Sequence, residues 1–294
     1  MQQRTDKQTL GLAREMTKAV VAHIQGGESH FPVVRDVAAV MASGVKEVPP
    51  HIMRDVPKHP ADRREVQAMA RDAAVYTLWR VDSTVLAMDD YLLTVLSESP
   101  AELPTAAVKS LRFRNPLVVL TTPDLSDEET QYYREHIGIP LGAYVFGRWD
   151  EGQLLCSTND DRFEDLGVMF VGFISTPEGM VLQTLRCTVP LGQEKTSVTD
   201  AVARTVGGFH FSEDLGEGDI TRLSAWLRRY LTQVLHTVSY AGSNEHDADV
   251  YRPQVKAVGK SKKARRQRPD EVSEFVKLGS LLSRELRELK KTEG

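Results

Sequence analysis

At Pro104 the chain changes its period, and that switch limits the folds open to it more than any motif does. Before it, apolar residues recur every three or four positions. Leu12, Met16, Ala19, Val20 and Ile24 share one face of a helix that the pair Gly26–Gly27 is expected to stop. "FPVVRDVAAVMASG" reads as a shorter helix ending at Gly44, and the proline-rich "EVPPHIMRDVPKHP" as a loop. Leu78, Val81, Val85, Met88, Leu92 and Val95 continue the stripe, which predicts one long helix over about 62–98, opened by Asp62 and Glu65 at capping-box spacing.

After Pro104 come short runs rich in Val, Phe, Leu and Thr: "PLVVLTT", "GAYVFGRWD", "QLLCST", "VMFVGFIST" and "MVLQTLRCTV". They are strands separated by turn residues. Trp149–Gly152 and Thr176–Gly179 read as hairpin connections, which make their strands antiparallel. A short helix over 126–137 carries a capping box at Ser126 and Glu129. Helix returns from Asp219 to about Ala241, with Ile220, Leu223, Leu227, Tyr230, Val234 and Val238 on one side. It closes the chain from Glu271 to Lys291 through Phe275, Leu278, Leu282, Leu286 and Leu289. The class predicted is α+β: a helical half over 1–105, an antiparallel sheet of about five strands with packed helices over 106–250, a basic linker over 251–270, and a C-terminal helix over 271–294.

Charge is segregated. Lys256, Lys260, Lys262, Lys263, Arg265, Arg266 and Arg268 fall in one stretch without an acid among them. The formal total is −4, so with those seven charges set aside the rest carries −11. An acidic body bearing a basic strap is not a general polyanion binder. Lys260, Lys262, Lys263, Arg265, Arg266 and Arg268 suit phosphate contacts. No aromatic residue lies between Tyr251 and Phe275, so such contacts would follow a backbone and not read bases. The other reading is a solvated linker that neutralises the body's own acidic face.

Catalytic signatures are scarce. The sequence contains no G-x-G-x-x-G, P-loop, H-E-x-x-H or G-x-S-x-G, and implies no cofactor. Cys156 and Cys187 lie on separate strands, cannot frame a zinc site, and are expected as free thiols in a reducing cytoplasm. The best chemical cluster is His236, Asn244, Glu245, His246, Asp247 and Asp249, with His236, His246, Asp247 and Asp249 the candidates for catalysis. Imidazole and carboxylates together can hold a divalent metal or move protons, yet a polar loop behind a helix has the same composition. His210, Glu213, Asp214, Glu217 and Asp219 form a second acidic group, read as a loop feeding a helix N-terminus. No apolar run approaches the ~20 residues a membrane span needs.

The order of parts carries a resemblance. "LPTAAVKSLRFRNPLVVLTTP", "GAYVFGRWDEGQLLCST", "VMFVGFIST" and "LRRYLTQVLHTVSYAGSNEHDADVYRP" are followed by "GKSKKARRQRP" and "VSEFVKLGSLLSREL". This series resembles a family of phage and mobile-element proteins that includes a type V-A anti-CRISPR inhibitor. The likeness runs from about Asp62 onward. It departs at Ser239–Gly242, where relatives tend to carry a Cys-Ser pair. The resemblance implies a non-catalytic inhibitor that recognises a host protein as a nascent polypeptide, with the strap touching RNA or ribosome. A metal-dependent nuclease or hydrolase and a DNA-binding regulator are the other functions considered.

Overall fold

The computed structural model describes residues 5–98, 103–122, 125–191, 196–210, 216–253 and 272–292. In chain order the elements are α1 (Asp6–His30), α2 (Val33–Ala42), α3 (Pro50–Met53), α4 (Pro60–Trp79), β1 (Thr84–Met88), α5 (Asp90–Glu98), β2 (Leu117–Val119), α6 (Asp127–His136), β3 (Ile139–Trp149), β4 (Leu154–Cys156), β5 (Asp165–Thr176), β6 (Gly179–Val189), α7 (Val198–Gly207), α8 (Glu217–Ser243), β7 (Ala248–Tyr251), β8 (Glu274–Leu278) and α9 (Ser280–Thr292), with short 3-10 turns at Thr105–Ser110 and Glu245–Asp247.

The α+β class expected from the sequence is the one found, with a larger and mixed sheet. Among the described residues the sheet has eight strands: seven in the order β6-β5-β3-β2-β1-β8-β7, and β4 paired to β3 off that path. β1 is parallel to both β2 and β8, and the remaining pairs are antiparallel. Helices cover both faces. One core joins α1, α2 and α4 to Tyr144, Phe146, Met169 and Phe275. The other joins α5, α7 and α8 to Val145, Val168, Phe170 and Val276.

The long helix expected over 62–98 is instead helix, strand, helix. α4 ends at Trp79, Ser83 takes a left-handed φ of 48°, and Thr84–Met88 run as β1 with every residue buried. A strand between two parallel neighbours is apolar on both faces, so it shows no alternation and merges with a helical stripe in the sequence. Val81 marks the break: it is exposed, not part of a core face. The start differs too. Pro60 occupies the first turn, where its missing N–H costs nothing, and no side chain caps the helix; the Asp62–Glu65 box is not used. Likewise α1 runs through Gly26 and Gly27 to His30, because two glycines cost only ~1 kcal/mol each in a long helix held by packing.

The C-terminal helix expected from Glu271 starts only at Ser280. Glu274–Leu278 form β8, whose Phe275 and Leu278 serve opposite cores. Gly279, at φ +78°, turns the strand into α9, and a side chain there would collide with Leu92. The proline-rich stretch read as a loop carries the short helix α3, where Pro50 sits in the first turn, while several local expectations are met. The Ser126–Glu129 capping box opens α6, both hairpins form, and α8 carries its apolar stripe into the core. Cys156 and Cys187 are free and buried on β4 and β6, and burial pushes each thiol up to about 12.

Candidate functional site

Two parallel strands, β1 and β8, end side by side, with Met88 opposite Leu278, and each feeds a helix. The first exposed N–H groups of both helices therefore point into one place, and a carboxylate meets each set. Asp89 Oδ1 accepts from Tyr91 N (3.0 Å) and Leu92 N (3.4 Å), which caps α5. The same oxygen accepts from Ser283 Oγ (2.6 Å) and Arg287 Nη2 (3.1 Å) of α9. Asp247, arriving from the end of α8, caps α9 in turn. Its Oδ1 accepts from Leu281 N (2.8 Å), and its Oδ2 from Leu282 N (3.1 Å) and the Tyr240 hydroxyl (2.7 Å). Burial and this bond to Asp247 push the Tyr240 hydroxyl well above its usual pKa. Gly279 N donates to Asp247 O, and Asp89 N to Leu278 O, so the two junctions are laced together through the main chain.

That node decides the sequence cluster. Asp247 is buried, and its carboxylate is committed to a tyrosine and a helix end. His236 is buried in α8; loss of hydration holds its imidazole down to about 4, and Nδ1 has no partner among the described residues. His246 is exposed, and Asp249 is exposed on β7. Among the described residues no three His, Cys, Asp or Glu side chains are grouped to hold a metal ion. In the second group, Asp219 accepts from the Tyr132 hydroxyl (2.6 Å) in the first turn of α8, beside Glu217. His210 is exposed, and Glu213 and Asp214 lie outside the described residues.

The strap, including Lys260, Lys262, Lys263, Arg265, Arg266 and Arg268, also lies outside the described residues. Its flanks do not. β7 precedes it and β8 follows it, and the two pair antiparallel from Ala248↔Leu278 to Tyr251↔Phe275. The strap thus leaves and rejoins the body at one hairpin on the sheet's margin, since β7 ends the strand order. Beside that hairpin a groove of about 510 Å³ runs between the start of α1 and the strands, lined by Lys7, Leu10, Val250, Tyr251, Phe275 and Lys277. Val250 and Tyr251 are 39% and 56% exposed beside it. Lys277 is tied to Asp6 at 3.0 Å across the groove floor. No described helix is long and apolar enough to cross a membrane.

The sequence matches a family model, AcrVA2-like, described as the anti-CRISPR type V subtype A2 family, over residues 86–294. The chain belongs to this family. The match begins inside β1 and takes in the groove's strands, the strap and both aspartate caps except the start of α1. A solved structure described as the crystal structure of AcrVA2 is similar, at 13% identity and a TM-score of 0.48, over 92% of this chain and 88% of that one. No curated protein matches the sequence.

Within the family's stretch, sequence reasoning passed over Asp89, Ser283 and Arg287. The signal existed in "MDDYLL", an acid directly before an apolar helix start, but it sat inside the stripe read as continuous helix.

Proposed function

We propose that this chain is a non-catalytic inhibitor of the anti-CRISPR kind, which captures a segment of a host polypeptide, in nascent form, while its basic strap meets RNA or the ribosome. The observation that carries the reading is the hairpin: the strap joins the body at the same sheet margin where β7 has an edge with no partner strand among the described residues, beside the groove of Val250, Tyr251 and Phe275. An open strand edge beside apolar side chains suits an extended peptide, which adds as a further strand and takes its specificity from alternate side chains. Cations next to it would gain affinity from released counterions wherever the peptide is still attached to a translating ribosome. Asp247's commitment to Tyr240 and α9 weighs against the hydrolase reading, because a carboxylate holding three hydrogen bonds is poorly placed to take a metal.

The test is affinity purification from a host cell, with and without RNase, of three forms: the parent chain, Tyr251→Arg, and the quadruple variant with Lys262, Lys263, Arg265 and Arg266 replaced by Ala. Expected is a CRISPR polypeptide lost with Tyr251→Arg, and ribosomal RNA or message lost with the strap variant. Capture of the same polypeptide by Tyr251→Arg at parental yield would remove the groove from the account. Full RNA recovery by the strap variant would remove the strap.

A further inference from the structure

Towards the other end of the strand order from β7, four cationic side chains from four segments surround one cavity. Lys46 comes from the loop after α2, Arg71 from α4, Arg148 from β3 and Arg186 from β6. The cavity holds about 190 Å³, the described residues lining it include no acid, and Val75 and Phe146 belong to its apolar wall. In a body whose net charge outside the strap is negative, this concentration is local and built.

The acids nearby account for only part of it. Asp72 takes Arg186 (2.6 Å) and the Thr184 hydroxyl (2.9 Å), and Asp150 takes Lys46 (2.8 Å) at the rim. Asp165 is the cross-strand neighbour of Arg148, but burial pushes its carboxyl up and so weakens it as a counterion. Two guanidinium groups remain under-used. Arg148 gives Nη2 to the Gly152 carbonyl, while its Nε is buried with no partner among the described residues. Arg71 forms no hydrogen bond or ion pair with a described residue; its side chain is exposed overall, yet its guanidinium is partly shielded and is lowered by that shielding first and by Arg186 second. Arg148 is lowered as well, by burial and then by Arg71. Cations that repel each other beside an apolar wall are stabilised by any anion that enters, and arginine matches a carboxylate with two parallel donors.

We propose that this cavity is a receptor for a carboxylate carried on a small apolar body. Size argues for the apolar body: 190 Å³ is several times a water's share of ~30 Å³ in the liquid, more than a bare anion fills, and less than the ~300–1,000 Å³ of sites for larger ligands. The carboxylate would sit between Arg71 and Arg148, its hydrocarbon against Val75 and Phe146. The same chemistry can arrive as a free organic acid or as a glutamate side chain flanked by leucines. The site is separate from the β7 groove and its test does not depend on peptide capture there.

The experiment titrates the full chain by calorimetry and by amide and arginine NMR shifts with four probes: 4-methylpentanoate, its amide, inorganic phosphate, and acetyl-Leu-Glu-Leu-amide. Expected is binding of one or both carboxylates at least about tenfold tighter than the neutral amide, weakened by about tenfold or more in Arg71→Gln and partly restored in Arg71→Lys. Arg71 is exposed, so these variants keep the fold, which circular dichroism verifies. Shifts at Phe146 and Val75 place the ligand. A tighter free acid assigns a metabolite-like ligand, and a tighter peptide assigns a peptide side chain. Equal affinity for acid and amide, tighter binding of phosphate, or no effect of Arg71→Gln would each overturn the proposal.

Discussion

Replacing Asp247 with alanine removes three hydrogen bonds to one buried carboxylate: two from the start of α9 and one from Tyr240. Loss of a helix cap costs about 1 kcal/mol. A buried hydroxyl left without its acceptor costs about 1–3 kcal/mol. Loss of the negative charge at the helix's positive end costs a further ~0.5 kcal/mol. The total is about 3 kcal/mol. At an unfolding entropy of ~2.1 cal/mol/K per residue, a chain of 294 residues should lose about 5 °C in Tm. Asp247→Asn keeps one acceptor oxygen and should lose roughly half as much. Differential scanning calorimetry gives the shift, and hydrogen exchange locates it: the amides of Leu281 and Leu282 should lose protection first, ahead of those in β3 and β5. The assignment fails if Asp247→Ala melts within about 1 °C of the parent, with α9 amides still protected. A magnesium-dependent hydrolysis that vanishes in this equally stable variant would restore the carboxylate to catalysis.

Two further perturbations test the packing. His236 ionises at about 4 in the fold against 6.5 when free, so the unfolded chain gains a proton that the native state refuses. Stability should therefore be unaffected above pH 6.5 and fall by about 3 kcal/mol as pH drops towards 4; His236→Leu should flatten that part of the urea-denaturation profile, and parallel profiles would refute it. At Gly242 of α8 an added Cβ would overlap the Ala107 carbonyl, which is main chain and cannot turn aside. Gly242→Ala should thus cost more than ~2 kcal/mol in chemical denaturation, against the usual small gain from such a change in a helix, and a stabilised variant would show that α8 and the Thr105–Ser110 turn do not touch.

Much of the architecture was legible because its signals are local. The capping box at Ser126 and Glu129 lies within one turn, and the α8 stripe repeats along one continuous helix. The turn at Asp150–Gly152 declares the β3–β4 hairpin by its residues alone, three of which take left-handed φ. β1 and β8 were hidden because each pairs in parallel with strands far along the chain and is covered on both faces. Asp247 looked like a member of a catalytic loop because the N–H groups it serves lie 34 and 35 residues further on. The arginine cavity is less visible still. Arg71, Arg148 and Arg186 are isolated in sequence, and only the α4–β3–β6 arrangement gathers them. Composition finds charge that is contiguous, as in the strap, and misses charge that is assembled.

The pairing of Tyr251 with Phe275 has one more implication. Because the chain is paired on either side of the insert, a longer connection would cost the fold little: doubling a flexible loop adds only about 0.6 kcal/mol of closure entropy. A chain built on this hairpin can therefore lengthen, shorten or recharge the stretch between its two strands at little cost to the sheet beneath.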